Sequence, residues 1–195
     1  LIYVDDILFF TMTKEEAVYL KERFLSRFEC KVLGEIKRFL GVNVDIKLGD
    51  YIRLDQTHYT KAFTAKFADL FSMFSTYRNT PLPYDTTDRL ADESPLESGS
   101  QFYDWWLNFP YLEVIGSVLY LAINTRPDII FHICMLARYS KNKTPQACYL
   151  AAHLLSYIAG TAHFGLTYRY SDLMDPFNLI TESYSDADFA GDRKT

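Results

Sequence analysis

Apolar and polar positions along this chain follow several different spacings, and each spacing predicts a different element. Residues 1–4 and 7–10 are two short apolar, β-forming runs parted by Asp5-Asp6, the pattern of a hairpin with its carboxylates at or near the turn. Thr13, with Glu16 three residues on, has the signature of a capping box. Ala17, Leu20, Phe24 and Phe28 then recur on one helical face. Between 40 and 48 the even positions Leu40, Val42, Val44, Ile46 and Leu48 are apolar, whereas Gly41, Asn43, Asp45 and Lys47 are not. That alternation predicts a strand with one buried face. Gly49-Asp50 reads as a two-residue turn into a second strand over 51–54. Tyr59, Phe63, Phe67, Leu70, Phe71 and Phe74 form the stripe of a helix, and such a stripe reads as core.

The pattern then changes. Residues 79–100 hold Pro81, Pro83 and Pro95 among acidic and small polar residues, so 79–110 reads as an acidic linker. Beyond it the periodicity is helical. Residues 112–124 are nearly all apolar, which predicts a well-buried helix. Pro127 suits a first helical turn and Asp128 complements the positive helix end. Thr144-Pro145 repeats the start signal, Ala147, Ala151, Leu154, Leu155 and Ile158 form the stripe, and Gly160 stops it. Strand patterns return at 164–168 and 179–184, separated by a turn near Ser171-Asp172. No internal repeat is present.

Composition narrows this picture. A chain of 195 residues that is 49% hydrophobic, with 15 Tyr and 15 Phe, can bury a sizeable core in one or two domains. No run approaches the ~20 apolar residues of a membrane helix, and no signal peptide is visible. Leu1 lies inside an apolar run and Thr195 follows a charged turn, so the chain reads as a piece of a longer one. Cys30, Cys134 and Cys148 are odd in number and far apart, which favours reduced thiols in an intracellular protein. His132 and Cys134 match no zinc spacing and read as buried packing residues. The net charge of -5 counts against nucleic-acid binding until its distribution is considered. Between 85 and 104, Asp85, Asp88, Asp92, Glu93, Glu97 and Asp104 stand against Arg89 alone, so the whole excess lies in one segment. Between 37 and 66, Lys37, Arg38, Lys47, Arg53, Lys61 and Lys66 outnumber Asp45, Asp50 and Asp55, which is compatible with a phosphate backbone.

The candidate chemistry is at the first turn. Phosphoryl transfer to a growing strand uses two divalent metals roughly 3.5–4 Å apart, and magnesium prefers hard carboxylate oxygens. A strand-turn-strand presenting Asp5 and Asp6 could hold such ions. Adjacent side chains on a strand point to opposite faces, so both can serve only where the backbone turns. Taken alone, the pair is better explained by an ordinary hairpin turn, for which Asp is favoured. Apolar runs on both sides nevertheless leave the two carboxylates isolated.

Further segments carry a resemblance. Tyr3-Val4-Asp5-Asp6 resembles the YxDD motif of reverse transcriptases, with Val as in copia-type elements. Residues 33–41, LGEIKRFLG, resemble the family's LGxxxxFLG segment, which lies beyond the catalytic hairpin near the primer. Gln56 and Tyr59 match a QxxY helix start, and Thr80-Pro81-Leu82 matches a TPL linker. Residues 115–121 with 125–129 resemble IGSLxYL…TRPDI, and 157–161 with Gly165-Leu166 resemble YLKGTxxxGL. Residues 184–192, YSDADFAGD, resemble the opening strand of the family's ribonuclease H. Seven motifs in order make the chain similar to the copia-type retrotransposon Pol polyprotein, from the C-terminal part of reverse transcriptase into ribonuclease H.

The resemblance implies an α+β fold. A partial palm hairpin and thumb-like part would occupy 1–78, the linker 79–110, a helical connection region 111–163, and the first strands of a ribonuclease H-like sheet 164–195. It implies polymerase carboxylates and Mg2+ ligands at Asp5 and Asp6, and a first ribonuclease H carboxylate and metal ligand at Asp186. Asp188 and Asp192 are read as surface residues. The partners implied are an RNA template, a DNA primer, deoxynucleotides and the remainder of the Pol polyprotein, with no membrane, in a cytoplasmic particle or the nucleus. Phe189 stands where the family usually has Trp, and Leu112 where it usually has Arg. The 85–104 segment and Trp105-Trp106 look inserted, and the paired Trp reads as core. A further palm Asp, the fingers and the later ribonuclease H acids of the family fall outside these residues, so the piece alone is expected to be inactive. The alternative reading is an inactive transposon remnant or a domesticated binding or structural domain.

Overall fold

The computed structural model describes residues 1–91 and 101–170. The chain divides into two compact units, Leu1–Ile36 and Lys37–Thr195.

In the first unit, strands β1 (Ile2–Tyr3) and β2 (Asp6–Ile7) pair antiparallel, with Ile2 opposite Ile7 and Tyr3 opposite Asp6. The ladder extends to Leu1 and Leu8, which exchange backbone hydrogen bonds of 2.8 and 2.9 Å. Helix α1 (Lys14–Leu25) starts at the predicted capping box. The Thr13 hydroxyl accepts from the Glu16 N–H at 3.2 Å, and the Glu16 carboxylate accepts from the Thr13 N–H at 3.3 Å. Of the expected stripe, Phe24 meets Phe9 edge-on at 5.6 Å and Phe28 at 4.7 Å, but Phe28 lies beyond the helix end. No residue in 1–36 is buried.

The second unit contains a four-stranded antiparallel sheet in the order β3 (Arg38–Phe39), β4 (Val42–Lys47), β5 (Tyr51–Asp55), β6 (Gly165–Arg169). Three expectations are corrected here. Leu40 and Gly41 are not strand: they form the two-residue turn between β3 and β4, with φ of 49° and 79°. Positive φ at both central residues is the hairpin-turn geometry that matches strand twist, and apolar alternation cannot reveal it. The β4–β5 connection is a three-residue loop, Leu48-Gly49-Asp50, closed by Asp50 N–H to the Lys47 carbonyl at 2.9 Å. The segment β6, expected as the first strand of a separate sheet, pairs with β5 along its length, Leu54 opposite Leu166, and so belongs to this one. The expected buried face is half realised. Val42 and Val44 are partly covered, but Ile46, Ile52 and Tyr168 are 44%, 44% and 52% exposed.

The rest is helical: α2 (Thr57–Lys66), α3 (Ala68–Phe71), α4 (Thr86–Ala91), α5 (Gln101–Leu107), α6 (Tyr111–Asn124), a 3₁₀ turn (Pro127–Ile129), α7 (Ile130–Ala137) and α8 (Pro145–Gly160). The last is the hub, touching α2 through α7. Thr144 caps it by accepting from the Ala147 N–H at 3.1 Å, and Ala147, Ala151, Leu154, Leu155 and Ile158 are all buried, as the stripe predicts. Phe63, Phe67 and Phe71 join the same core, with Tyr59, Leu70 and Phe74 at its margin. By contrast α6 is buried on one face only: Val114, Ile115, Val118, Leu121 and Ala122 are inside, whereas Leu112 and Ile123 are exposed. The 79–110 segment, read as a linker, carries α4 and α5 and contributes Leu82, Leu90 and Phe109 to the core. Trp105 and Trp106 pack against that core, and neither indole N–H has a hydrogen-bond partner among the described residues. Cys134 is exposed, not buried, and Cys30 is exposed as well; only Cys148 is inside. The mixture of helices with two antiparallel sheets is α+β. Among the described residues no single helix is long and apolar enough to cross a membrane; α5 and α6 meet the length only together, across a 63° bend.

Candidate functional site

Tyr3 and Asp6 close a two-residue turn of which Val4 and Asp5 are the centre. Val4 has φ of 51° and is 84% exposed, a left-handed conformation that is an outlier for a β-branched residue. Its side chain is at the surface, so what holds it there is the ladder, not packing. The turn resolves the geometric difficulty of adjacent aspartates: Asp5 sits in the corner and Asp6 opens the return strand. Both are exposed and accept no hydrogen bond from other described residues. Two free hard-oxygen donors fit a divalent cation in donor chemistry. Among the described residues no group of three or more His, Cys, Asp or Glu is placed to hold a metal. Asp186, Asp188 and Asp192, with the strand at 179–184, lie outside the described residues, as does the acidic stretch from Asp92 to Glu97.

In the second unit, segments far apart in sequence meet through polar contacts. The Tyr120 hydroxyl donates to the Leu40 carbonyl at 2.9 Å, at the β3–β4 turn. A Cβ on Gly41 would lie 2.5 Å from that hydroxyl, so one of the two would have to shift, and the positive φ at Gly41 disfavours any other residue there in its own right. The left-handed Leu40 costs about 1–2 kcal/mol, and a hydrogen bond to its carbonyl returns about 0.5–1.5 kcal/mol. Tyr59 stands edge-on to Tyr120, ring centroids 5.0 Å apart. Gln56 is buried and accepts from the Thr125 hydroxyl at 2.9 Å, while its Nε2 has no partner among the described residues.

Arg126 is 1% exposed. Its guanidinium makes a two-pronged pair with Asp128 at 2.8 and 2.8 Å and donates to the Thr161 carbonyl and hydroxyl at 3.1 and 2.8 Å. It lies between the Tyr157 and Phe164 rings, 5.5 and 5.3 Å from their centroids. The Tyr157 hydroxyl donates to Asp128 at 2.9 Å. Burial would raise the Asp128 carboxyl, but the hydrogen bonds and charge of Arg126, with Tyr157, outweigh it and hold the group below its ordinary value. Four residues past Thr161, Gly165 runs so close to β5 that a Cβ would meet the Leu54 carbonyl oxygen at 2.4 Å. The motif-bearing residues of 37–165 are thus one another's partners. Sequence reasoning found the segments and missed the contacts; an Arg flanked by apolar runs and followed by Asp at the second position is the signal that could have shown one of them.

Burial sets the other titrations. It pushes the Cys148 thiol up to about 12, with Lys143 opposing weakly, so that thiol is inert. It lowers His153, whose Nε2 lies 3.1 Å from the Thr80 carbonyl, and His132 in the same direction.

Comparison with known proteins gives the following. The chain is 30% identical over 195 residues to the retrovirus-related Pol polyprotein from transposon RE2 of Arabidopsis thaliana, covering 98% of this chain and 12% of that protein. It is 27% identical over 196 residues to the retrovirus-related Pol polyprotein from transposon TNT 1-94 of Nicotiana tabacum, covering 98% and 14%. An uncharacterized mitochondrial protein of Arabidopsis thaliana is 26% identical over 198 residues, covering 98% of this chain and 71% of that protein. The chain therefore spans about an eighth of the transposon Pol polyproteins it matches. No family model matches the chain, and no solved structure matches it.

Proposed function

This chain is a relative of the retrovirus-related Pol polyproteins of transposons, and from that premise we propose that it is the part of a reverse transcriptase that presents two metal-binding carboxylates, followed by the start of a ribonuclease H. The observation that carries the proposal is the turn at Tyr3-Val4-Asp5-Asp6, which displays both carboxylates to solvent on a tight antiparallel hairpin.

Asp5 and Asp6 would hold magnesium; when bound, the ions supply charge neutralisation at the phosphoryl group being transferred. The chain's own contribution is geometric. The ladder from Leu1 to Leu8 fixes the strand reversal, and the left-handed Val4 puts Asp5 at the corner and Asp6 one residue on. The RNA template, the DNA primer and the deoxynucleotides would be bound with the help of polypeptide that belongs to the rest of a Pol polyprotein. The unburied apolar side chains of 1–36, among them Ile2, Phe10 and Val18, support this, because they suit a segment that other protein covers. Asp186 would be the first ribonuclease H carboxylate, from its place in 184–192 alone.

The test is primer extension on an RNA template by a polymerase that contains these residues together with the rest of its Pol polyprotein. Asp5→Asn keeps the shape and removes a charge, so extension falls about 10²-fold or more with folding unchanged. Asp186→Asn spares extension and abolishes RNA cleavage. Extension indifferent to Asp5→Asn would sink the polymerase reading. A second reading has one observation in its favour: the mitochondrial relative, of which this chain covers 71%, is not much longer than the chain itself. On that reading the segment stands free, as a remnant or a binding domain, and Asp5→Asn changes nothing that can be measured.

A further inference from the structure

In the sheet of the second unit the charges of β4 and β5 are paired, and the cations without an ion-pair partner among the described residues lie on its two edges, Arg169 alone on β6 and a pair of cations beside the β3–β4 turn. Asp45 accepts from the Tyr51 hydroxyl at 3.0 Å, Asp50 pairs with Lys47 at 2.7 Å, and Asp55 is engaged by Asn43, the Thr57 N–H and Arg53. Lys37 and Arg38 are adjacent and exposed, and neither has an ion-pair partner among the described residues. They lie on the outer arm of the β3–β4 hairpin, whose two-strand ladder is only two residue pairs long. Those two pairs tie the outer arm to the rest of the four-stranded sheet, so a further contact would help to keep its cations in place. The Tyr120 hydroxyl on the Leu40 carbonyl is that contact: it grips the turn from α6, a helix eighty residues away in sequence, and Gly41 is the residue that leaves it room.

We propose that Tyr120 is a positioning residue, a latch that holds the β3–β4 hairpin in one conformation so that Lys37 and Arg38 meet a nucleic-acid phosphate backbone already ordered. The inference rests on the reading of this chain as part of a polymerase. It adds a role for a tyrosine that touches neither nucleic acid nor metal. A latch of this kind predicts a divided effect. The cations give the electrostatic part of binding and its salt dependence. The latch gives pre-organisation, which changes affinity and leaves the number of phosphate contacts alone.

The experiment uses the 195-residue chain and a 20-base-pair RNA–DNA hybrid with a fluorescein label, titrated by anisotropy between 50 and 200 mM KCl. Lys37→Ala with Arg38→Ala weakens binding and lowers the salt slope by about 2, one for each lost phosphate contact. Tyr120→Phe keeps the ring against Tyr59 and removes only the hydroxyl. It weakens binding about 2- to 10-fold, the cost of ordering a long side chain on binding, with the salt slope unchanged and only a small drop in melting temperature from the lost hydrogen bond. Hydrogen exchange at the Val44 amide, which donates to the Lys37 carbonyl at 2.9 Å, speeds up in the same variant. Binding and salt slope are compared at a temperature at which both proteins are fully folded, so that a loss of stability does not enter the comparison. A Tyr120→Phe protein that binds like the parent, while the double cation variant loses affinity, overturns the latch and leaves the polymerase reading standing. A parent chain that does not bind the hybrid, or one indifferent to loss of both cations, overturns the latch and counts against the polymerase reading as well.

Discussion

Residues 1–36 and the helices around α8 hold their shapes by different means. The first unit has a formed hairpin and a doubly capped helix, yet none of its side chains is buried. In the second, Leu150, Ala152, Leu155 and Ile158 on α8 are 0% exposed, and six other helices close over them. The hairpin and the cap are settled by neighbours within about eight residues in the chain: Leu1 with Leu8, Thr13 with Glu16. The helical body is settled by partners scores of residues apart. A carboxylate turn can therefore be specified locally, while the energy that keeps a domain folded is stored elsewhere.

Substitutions that address one unit at a time should break this contrast if it is wrong. The largest effect is expected from Leu154→Ala, which empties a site 1% exposed on α8 and should cost about 2–5 kcal/mol in denaturant unfolding. Phe24→Ala, its counterpart on α1, should cost less than about 1 kcal/mol, because that ring is only partly covered. Equal losses from the two would refute the division. Next in size is Asp128→Ala. It leaves the buried Arg126 guanidinium without its charge partner. About 2–3 kcal/mol is expected, below the ~3–5 kcal/mol of a fully buried pair, because the Asp128 side chain is 34% exposed.

The same pair and the buried histidines give the second unit its pH dependence. His153 is lowered by burial, so the unfolded chain takes up a proton first. The stability it contributes is complete above the ordinary value of 6.5 and is lost as the pH falls below it. Asp128 is held below its ordinary 3.8, so its contribution persists to lower pH and is lost only as the pH falls through the folded value. A melting temperature that declines in two stages between pH 8 and pH 3, with the first stage smaller in His153→Gln, is the expected outcome. A single decline, unchanged by that substitution, would contradict it. An effect confined to the first unit is expected at Thr13. Replacing it with Ala removes a cap worth about 1 kcal/mol to α1, and should reduce helix content without moving the melt of the second unit.

What was legible in the sequence follows the same division. The hairpin, the Thr13 and Thr144 caps and the α8 stripe are short-range, and each is where its pattern puts it. Leu40 was not legible as a turn, because Leu40, Val42 and Val44 keep a strand's alternation across it; the left-handed backbone is carried by a hydrogen bond from Tyr120, eighty residues on. The apolar run in α6 gave no sign that Leu112 and Ile123 would face outward, since period alone cannot count how many neighbours a helix will have. Of the candidate site, the turn bearing Asp5 and Asp6 was readable, whereas the pairing of Arg126 with Asp128, Tyr157 and Thr161 has no local signature beyond the first two residues.

The sheet has one further consequence, for synthesis on the ribosome. Strand β5 is made early, but its partner β6 follows only after about 110 residues, the separation of Arg53 from the His163 carbonyl it contacts. At about 5–20 residues per second, the β5 edge waits roughly 5–20 s for its partner. Through that interval Ile52 and Leu54 stand on a strand paired with β4 on one edge and open on the other, and a chaperone that shields strand edges has its longest opportunity there.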